Sequence, residues 1–306
     1  MFQNPAERGT CPGRKEWWVV TKVLVTGATG NVGSWVVQEL RGRSASIRAF
    51  IRDPDRAAEK LGDGVELAVG DFSDTASLHR ALEGADHLFL TSADGPQKVD
   101  HETVVIDAAA VAGVSRIVKL STLGAGVGSP LPPFDWHGRI EQHLRRSEVP
   151  AVILRSSFFM SNLLGSAEAI RHIGKLFAPA DGAKIAMIDP RDVAAVAAVV
   201  LTTDGYEGQT YELTGPEAIT YEHIAEELSA ATGRPIEFVD VPDEAARQGF
   251  VEAGMPNWLV EHLIGVFGII RQGALEQTTD TVRTLTEREP RTFAQFAREH
   301  AGLFQP

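Results

Sequence analysis

The chain has 306 residues, enough to bury a full core, and its 43% apolar and 23% charged content excludes a disordered or fibrous class. A formal net charge of −12 excludes the basic surface that a nucleic-acid partner needs, and no stretch is long and apolar enough to span a bilayer. The single cysteine, Cys11, cannot form an internal disulfide and the first residues carry no signal pattern, so a reducing, cytoplasmic setting is expected.

Residues 1–20 read as a flexible extension: Pro5, Gly9, Pro12 and Gly13 fall among charges with no apolar period, and Trp17 and Trp18 are candidates to pack on the body. From Lys22 the pattern changes. Val23-Leu24-Val25 predicts a first strand ending at Gly27, and Val32, Val36 and Leu40 then recur at helical spacing. Residues 47–51 predict a second strand, broken by Asp53-Pro54. Residues 65–69 predict a third, ending at Gly70-Asp71, after which Asp74 is placed to cap a helix carrying Leu78 and Leu82. A fourth strand is predicted over 88–90, an alanine-rich helix over 102–112 and a fifth strand over 117–120. A helix over 135–146 and a sixth strand over 152–154 follow.

Beyond Arg155 the rhythm loosens. Helices are predicted over 192–201 and 221–231, and strands over 210–213 and 236–241. Short apolar runs alternating with helices are the pattern of a parallel sheet covered on both faces. The fold class expected is α/β: a doubly wound parallel Rossmann sheet over 21–157, with a smaller, mostly helical C-terminal substrate cap over 158–306. A segment at about 185–216 is expected to return to the sheet.

Gly27-Ala28-Thr29-Gly30-Asn31-Val32-Gly33 lies between the first strand and the first helix. Glycine allows a tight turn and close backbone approach, and the N–H groups and dipole at a helix start favour an anion. That context predicts a dinucleotide pyrophosphate on Gly27, Thr29, Gly30, Asn31, Val32 and Gly33; a purely structural turn is the alternative. The cofactor's 2′ group then meets the end of the second strand. Arg52 suits a 2′-phosphate, with Arg56 in support, so NADP is favoured over NAD; otherwise Arg52 is a solvated surface residue. Asp53, before Pro54, reads as the start of a turn. Asp71 is a candidate partner for the adenine amino group or, equally, a cap near Ser73 and Asp74, and Phe72 beside it joins the cofactor set. Thr91 and Ser92 end the fourth strand as channel-lining candidates, and Ser121 and Thr122 end the fifth near the nicotinamide.

These residues resemble the short-chain dehydrogenase/reductase superfamily in its atypical NmrA-like branch. The resemblance rests on Val-Thr-Gly-Ala-Thr-Gly-Asn-Val-Gly at 25–33, Ile-Arg-Asp-Pro at 51–54, Gly-Asp at 70–71 and Ser-Arg-Ile-Val-Lys-Leu-Ser at 115–121. Leu-Arg-Ser-Ser-Phe-Phe-Met-Ser-Asn-Leu at 154–163 and Tyr-Glu-Leu-Thr-Gly-Pro-Glu-Ala at 211–218 extend it over nearly the whole chain. It implies NADP(H) at the glycine turn, with Arg52 on the 2′-phosphate. Members of that branch include quinone, triphenylmethane-dye and isoflavone-type reductases, and regulators that bind NADP without known turnover.

Typical superfamily members protonate the substrate with a tyrosine whose pKa is lowered by a lysine four residues on, assisted by a serine. Here the matching helix carries His137 and Glu141 at i and i+4, and none of the three tyrosines has a lysine four positions later. His137 is therefore a candidate general acid, since its reference pKa suits proton transfer near neutrality; the alternative is a structural hydrogen bond to Glu141 or the nearby loop. Ser121 is a candidate to orient a carbonyl, or it caps the strand end. Trp136, Phe158, Phe159 and Met160 are candidates to line an aromatic substrate pocket, with Trp258 and Phe267 in support, against the alternative of ordinary core packing. The Gly124-to-Pro133 loop is a candidate lid.

The histidines show no metal-ligand spacing with a third ligand nearby, and no nucleophile elbow or P-loop occurs, so no metal, hydrolase or NTPase chemistry is expected. The function expected is an NADPH-dependent reductase passing hydride to a small aromatic, quinone-like or conjugated carbonyl substrate. The alternatives are a non-enzymatic NADP(H) sensor acting through a protein partner and a biosynthetic tailoring protein.

Overall fold

A computed structural model describes residues 20–306, so nearly all of the expected N-terminal extension, including Cys11, Trp17 and Trp18, lies outside the described residues. Five strand–helix steps and a sixth strand come first: β1 (Thr21–Val25), α1 (Gly33–Arg41), β2 (Ala45–Ile51), α2 (Pro54–Leu61), β3 (Glu66–Val69), α3 (Thr75–Leu82), β4 (His87–Leu90), α4 (Lys98–Ala112), β5 (Arg116–Thr122), α5 (Pro132–Arg146) and β6 (Ala151–Ser156). After a 3₁₀ segment over Met160–Ser166 come α6 (Ala167–Ile173), β7 (Lys175–Ala178), α7 (Pro190–Thr202), β8 (Thr210–Leu213), α8 (Tyr221–Thr232) and β9 (Glu237–Asp240). The chain then runs through α9 (Asp243–Glu252), α10 (Asn257–Arg271), α11 (Thr281–Thr286) and α12 (Phe293–His300).

Side-chain chemistry sets many of these boundaries. Asp53 accepts from the amides of Asp55 and Arg56 and precedes Pro54 at the first position of α2. Asp74 does the same for Ala76 and Ser77 at α3. Thr292 and Gln295 form a reciprocal capping box at α12. Gly113, Gly174 and Gly233 close α4, α6 and α8 in the left-handed conformation that glycine adopts without a Cβ penalty.

Seven parallel strands form one sheet in the order β3-β2-β1-β4-β5-β6-β8. The chain winds outward from β1 to β3, then crosses to the other side of β1 and winds the opposite way. That reversal opens a crevice between the carboxyl ends of β1 and β4, where doubly wound sheets bind their ligands. Val36, Leu40, Ala57, Leu61 and Val282 join α1, α2 and α11 to one sheet face. Helix α7 lies there too, buried on all sides; its alanines at 194, 195, 197 and 198 allow that close approach. Leu78, Ile106, Ile140 and Leu144 hold α3, α4 and α5 to the other face.

A second core gathers residues that follow the carboxyl ends of β5 and β6, including Phe134, Phe158 and Met160, with Phe267, Phe293 and Phe296 from the last helices. A two-stranded parallel pair, β7 with β9, flanks it. Strand β7 was not anticipated, because its four residues carry too short a pattern and their partner lies far along the chain. Past β7, Ile188 pairs with Phe159, β8 pairs with β6, and a Cβ on Gly215 would stand 1.9 Å from the Met187 carbonyl. Among the described residues no helix is long and apolar enough to cross a membrane.

One contact between α4 and β5 is ionic. Glu102 is fully buried, with Lys98 Nζ 3.0 Å from Oε1 and Lys119 Nζ 2.8 Å from Oε2. Ser92 Oγ donates to Oε1 at 2.8 Å. Burial works to raise the pKa of Glu102, but the Lys119 and Lys98 cations outweigh it and hold the carboxyl down at about 2. Because that value lies below the ordinary 4.5, the carboxylate's contribution to stability is complete above about pH 4.5 and drains away as pH falls toward 2. Removing the charge leaves the buried Lys119 without a carboxylate partner and Lys98 with Asp94 alone. Glu102→Gln should therefore cost about 3–5 kcal/mol at neutral pH in urea unfolding; an unchanged midpoint would contradict this account of the α4–β5 contact.

Candidate cofactor and active site

The glycine turn sits at the mouth of the crevice. Thr26 is buried beneath it, with Oγ1 donating to the Phe89 and Thr91 carbonyls and accepting from the Thr91 amide, which ties β1 to β4. Gly27 has φ +59° and lies against Thr91: a Cβ there would meet Thr91 Cγ2 at 2.7 Å. The Gly30 amide donates to the Gly27 carbonyl at 2.8 Å, and a Cβ on Gly33 would stand 2.2 Å from that same carbonyl. These contacts force the chain to turn directly into α1. Among the described residues, the amides of Asn31 and Val32 have no acceptor, and the first turn of α1 carries no acidic side chain. The result is an open donor set at the positive end of a helix. Asn31 donates from Nδ2 to Ser161 Oγ at 2.8 Å, linking the turn to the segment after β6. Lys60 of α2, which sequence reasoning passed over, reaches the Thr29 carbonyl at 2.8 Å.

At the ends of β2 and β3 the expected residues divide. Arg52 is exposed and makes no hydrogen bond or ion pair among the described residues, whereas Asp53 is spent on capping α2. Asp71 accepts from the amide and hydroxyl of Ser73 at 2.9 and 2.6 Å. Those bonds, with the Arg52 charge nearby, hold its carboxyl below the ordinary range. The half-buried Phe72 ring stacks obliquely between Phe50 and His101.

At the ends of β4 and β5 the geometry departs from expectation. Ser92 is engaged by Glu102, and its carbonyl accepts from Lys98 Nζ at 3.0 Å. Thr122 is half-buried and donates to the Leu123 carbonyl at 3.3 Å. Ser121 is buried, and its hydroxyl proton goes to Glu141 Oε1 at 2.6 Å, not to an open channel. Glu141 also takes Arg155 Nε and Nη2 at 3.0 and 2.7 Å. The alternative reading of a His137–Glu141 hydrogen bond is therefore not met; both residues share a face of α5, but Glu141 is taken by Ser121 of β5 and Arg155 of β6.

His137 instead meets Lys119, whose Nζ lies 3.3 Å from Nδ1. An ammonium group only donates, so Nδ1 is the acceptor and the imidazole proton sits on Nε2. Nε2 lies 3.9 Å from Asp94 Oδ1 in the loop after β4, and Asp94 also pairs with Lys98 Nζ at 3.2 Å. Burial, then the Lys119 and Lys98 cations, push the His137 pKa well below 6.5. This corrects the expectation of an imidazole poised to carry a positive charge near neutrality: His137 is a neutral donor through Nε2. His262 of α10 stands over the same place, its ring 5.6 Å from Phe134 and its Nδ1 buried with no partner among the described residues. The sequence did hold a signal for Lys119, a charge in the middle of the apolar run Ile117-Val118-Lys119-Leu120, and for Lys98 and Glu102, which are four apart on one helix.

The aromatic candidates also divide. Successive residues of an extended segment face opposite ways. Phe158 and Met160 turn to the second core while Phe159 packs on the first, and Met160 is fully enclosed. Met160 is thus a core residue, whereas Phe158, Phe159 and Trp136 are each half-buried, Trp136 packed 5.4 Å from Trp258. Phe267 is core as well, against Tyr221. Gly138 lets α5 approach the candidate lid: a Cβ there would meet the Gly126 carbonyl carbon at 2.3 Å. Among the described residues no group of three or more metal-ligating side chains converges.

Comparison with known proteins places this arrangement in a wider set. The NAD(P)H azoreductase of Xenophilus azovorans is 37% identical over 282 residues, covering 92% of this chain and 99% of the relative. A (4-alkanoyl-5-oxo-2,5-dihydrofuran-3-yl)methyl phosphate reductase of Streptomyces griseus is 40% identical over 288 residues, covering 93% and 99%. The crystal structure of an NADPH-dependent quinone oxidoreductase from Escherichia coli, complexed with NADPH, superposes with a TM-score of 0.83 at 30% identity, covering 90% of this chain and 99% of that one. The NmrA-like family model matches residues 20–297, and with that match the chain belongs to the NmrA-like family.

Proposed function

We propose that the protein is an NADPH-dependent reductase that passes hydride to a small aromatic, quinone-like or conjugated acceptor. The observation that carries this reading is the open set of backbone amides at the start of α1, held at the reversal point of the sheet. When bound, the nicotinamide supplies the hydride. The amides of Asn31 and Val32 and the dipole of α1 bind the pyrophosphate. Arg52, exposed and without an ionic partner, takes the 2′-phosphate, and Lys60 adds positive charge beside the turn. Phe72 and Asp71 border the adenine, and Thr91 lines the channel. The azoreductase, the quinone oxidoreductase and the reductase of an unsaturated oxo-dihydrofuranyl compound among the relatives support an electron-poor acceptor.

At the reacting end, His137 donates its Nε2 proton to the atom that gains electron density as hydride arrives. Phe158, Trp136 and Trp258 give the acceptor an apolar, aromatic flank. Ser121, committed to Glu141, keeps α5 in register with β5.

Purified protein mixed with NADPH and a panel of quinones, azo dyes and aromatic ketones should oxidise NADPH, followed at the nicotinamide absorbance band. Tight binding with no turnover across the panel would favour a cofactor sensor instead. Arg52→Glu should weaken NADPH by roughly 10- to 100-fold and NADH hardly at all; equal loss for both would remove Arg52 from the phosphate. His137→Gln should lower turnover of an acceptor that needs a proton by about 10²-fold or more while leaving the NADPH dissociation constant unchanged, and undiminished turnover would clear it of that role.

A further inference from the structure

Lys98 and Lys119 together balance Glu102 and Asp94, so the cluster is neutral, yet Lys119 also reaches a group outside the ion pairs. The Lys119 ammonium is fully buried and spreads its contacts over the Leu120 carbonyl, Glu102 and His137 Nδ1. Its Nζ lies 2.8 Å from Glu102 Oε2, so its three protons are shared among the Leu120 carbonyl, the Glu102 carboxylate and the imidazole. His137 in turn is neutral, with its proton on the nitrogen nearer the Asp94 loop. A neutral imidazole is a poor acid unless its other nitrogen gains a proton as the first is lost.

We propose that Lys119 is the proton store behind His137: as Nε2 gives its proton to the reduced acceptor, Nδ1 takes one from the Lys119 ammonium. The inference rests on the NADPH-dependent reductase reading. In balance, the acceptor gains a hydride from the reduced nicotinamide, which is oxidised, and a proton from Nε2. The imidazole stays neutral and changes tautomer, and Lys119 ends as a neutral amine. After the product leaves, water returns a proton to Nε2 and the Nδ1 proton goes back to Lys119. Every charged or titratable group facing this line is accounted for: Asp94 from the β4 loop, Lys98 and Glu102 from α4, Lys119 from β5, His137 from α5 and His262 from α10. Burial, then the Lys98 cation, lower Lys119 to about 8 against the pull of Glu102, so the ammonium is formed at neutral pH yet yields its proton readily.

Two readouts test this. In the free protein, ¹⁵N-imidazole NMR should show His137 as the Nε2–H tautomer at neutral pH, with an Nδ1 shift that steps near pH 8 as Lys119 titrates. The step should vanish in Lys119→Met. An Nδ1–H tautomer, or a step unaffected by the substitution, overturns the proposal. With NADPH, two acceptors separate proton delivery from hydride transfer. An azo dye needs both, whereas a cationic triarylmethane dye becomes neutral on taking hydride alone. Lys119→Met should slow azo reduction roughly 10²-fold and triarylmethane reduction no more than about 2-fold. Lys119→Arg keeps the charge but holds its proton, so it should not restore azo reduction; restoration, or equal losses on both dyes, would make Lys119 only a counter-charge. Wild-type protein that binds NADPH yet reduces neither dye sinks the reductase reading itself, and the proposal with it.

Discussion

The carbonyl of Gly27 stands so close to Gly33 that no side chain fits between them. That contact fixes the turn, the turn sets the first residues of α1, and those residues leave main-chain donors facing the crevice. A side chain at Gly33 would collide with backbone rather than with a flexible neighbour, so the turn would have to open. Thr26 reinforces the arrangement from below by tying β1 to β4, the two strands between which the chain reverses direction. The sheet order and the glycine spacing are therefore two parts of one device: the topology makes a gap, and the turn puts partial positive charge at its edge.

The second half of the site has a different physical basis. Charges enclosed between α4, β5 and α5 are costly unless each is paired, and here they are paired in a chain that runs from Lys98 through Glu102 to Lys119 and on to His137. Burial, together with the two lysine cations, in turn keeps the imidazole neutral. An uncharged histidine with a fixed tautomer is a directional hydrogen-bond donor, which a freely titrating surface histidine is not. The same residues thus bind α4 to β5 and set the protonation state of His137, the proposed proton donor.

Much of this was legible in the sequence because it depends on local chemistry. The apolar runs at 23–25, 47–51 and 88–90 gave strands, Asp74 capped its helix, and the strand–glycine–helix context of residues 27–33 gave the turn. What was not legible depends on long-range packing. Strand β7 exists because β9 lies beside it, a fact absent from its own four residues. The spacing of His137 and Glu141 correctly put both on one helix face but could not say which strand residue each would meet; Ser121 and Arg155 claimed Glu141, and Lys119 claimed His137. Phe158, Phe159 and Met160 are expected from sequence to line one pocket together, yet extended backbone divides consecutive side chains between two cores. The lysine within the apolar fifth strand was the missed clue, since a lone charge in a strand buried on both faces must have a partner.

The proposed reductase requires the cofactor's pyrophosphate to lie against the main-chain amides at the start of α1. Titrating ¹⁵N-labelled protein with NADPH while following its amide resonances probes that contact. The largest shift changes should fall on Asn31, Val32 and Gly33 and should saturate with binding. NADPH that binds while these three amides stay unmoved would contradict it.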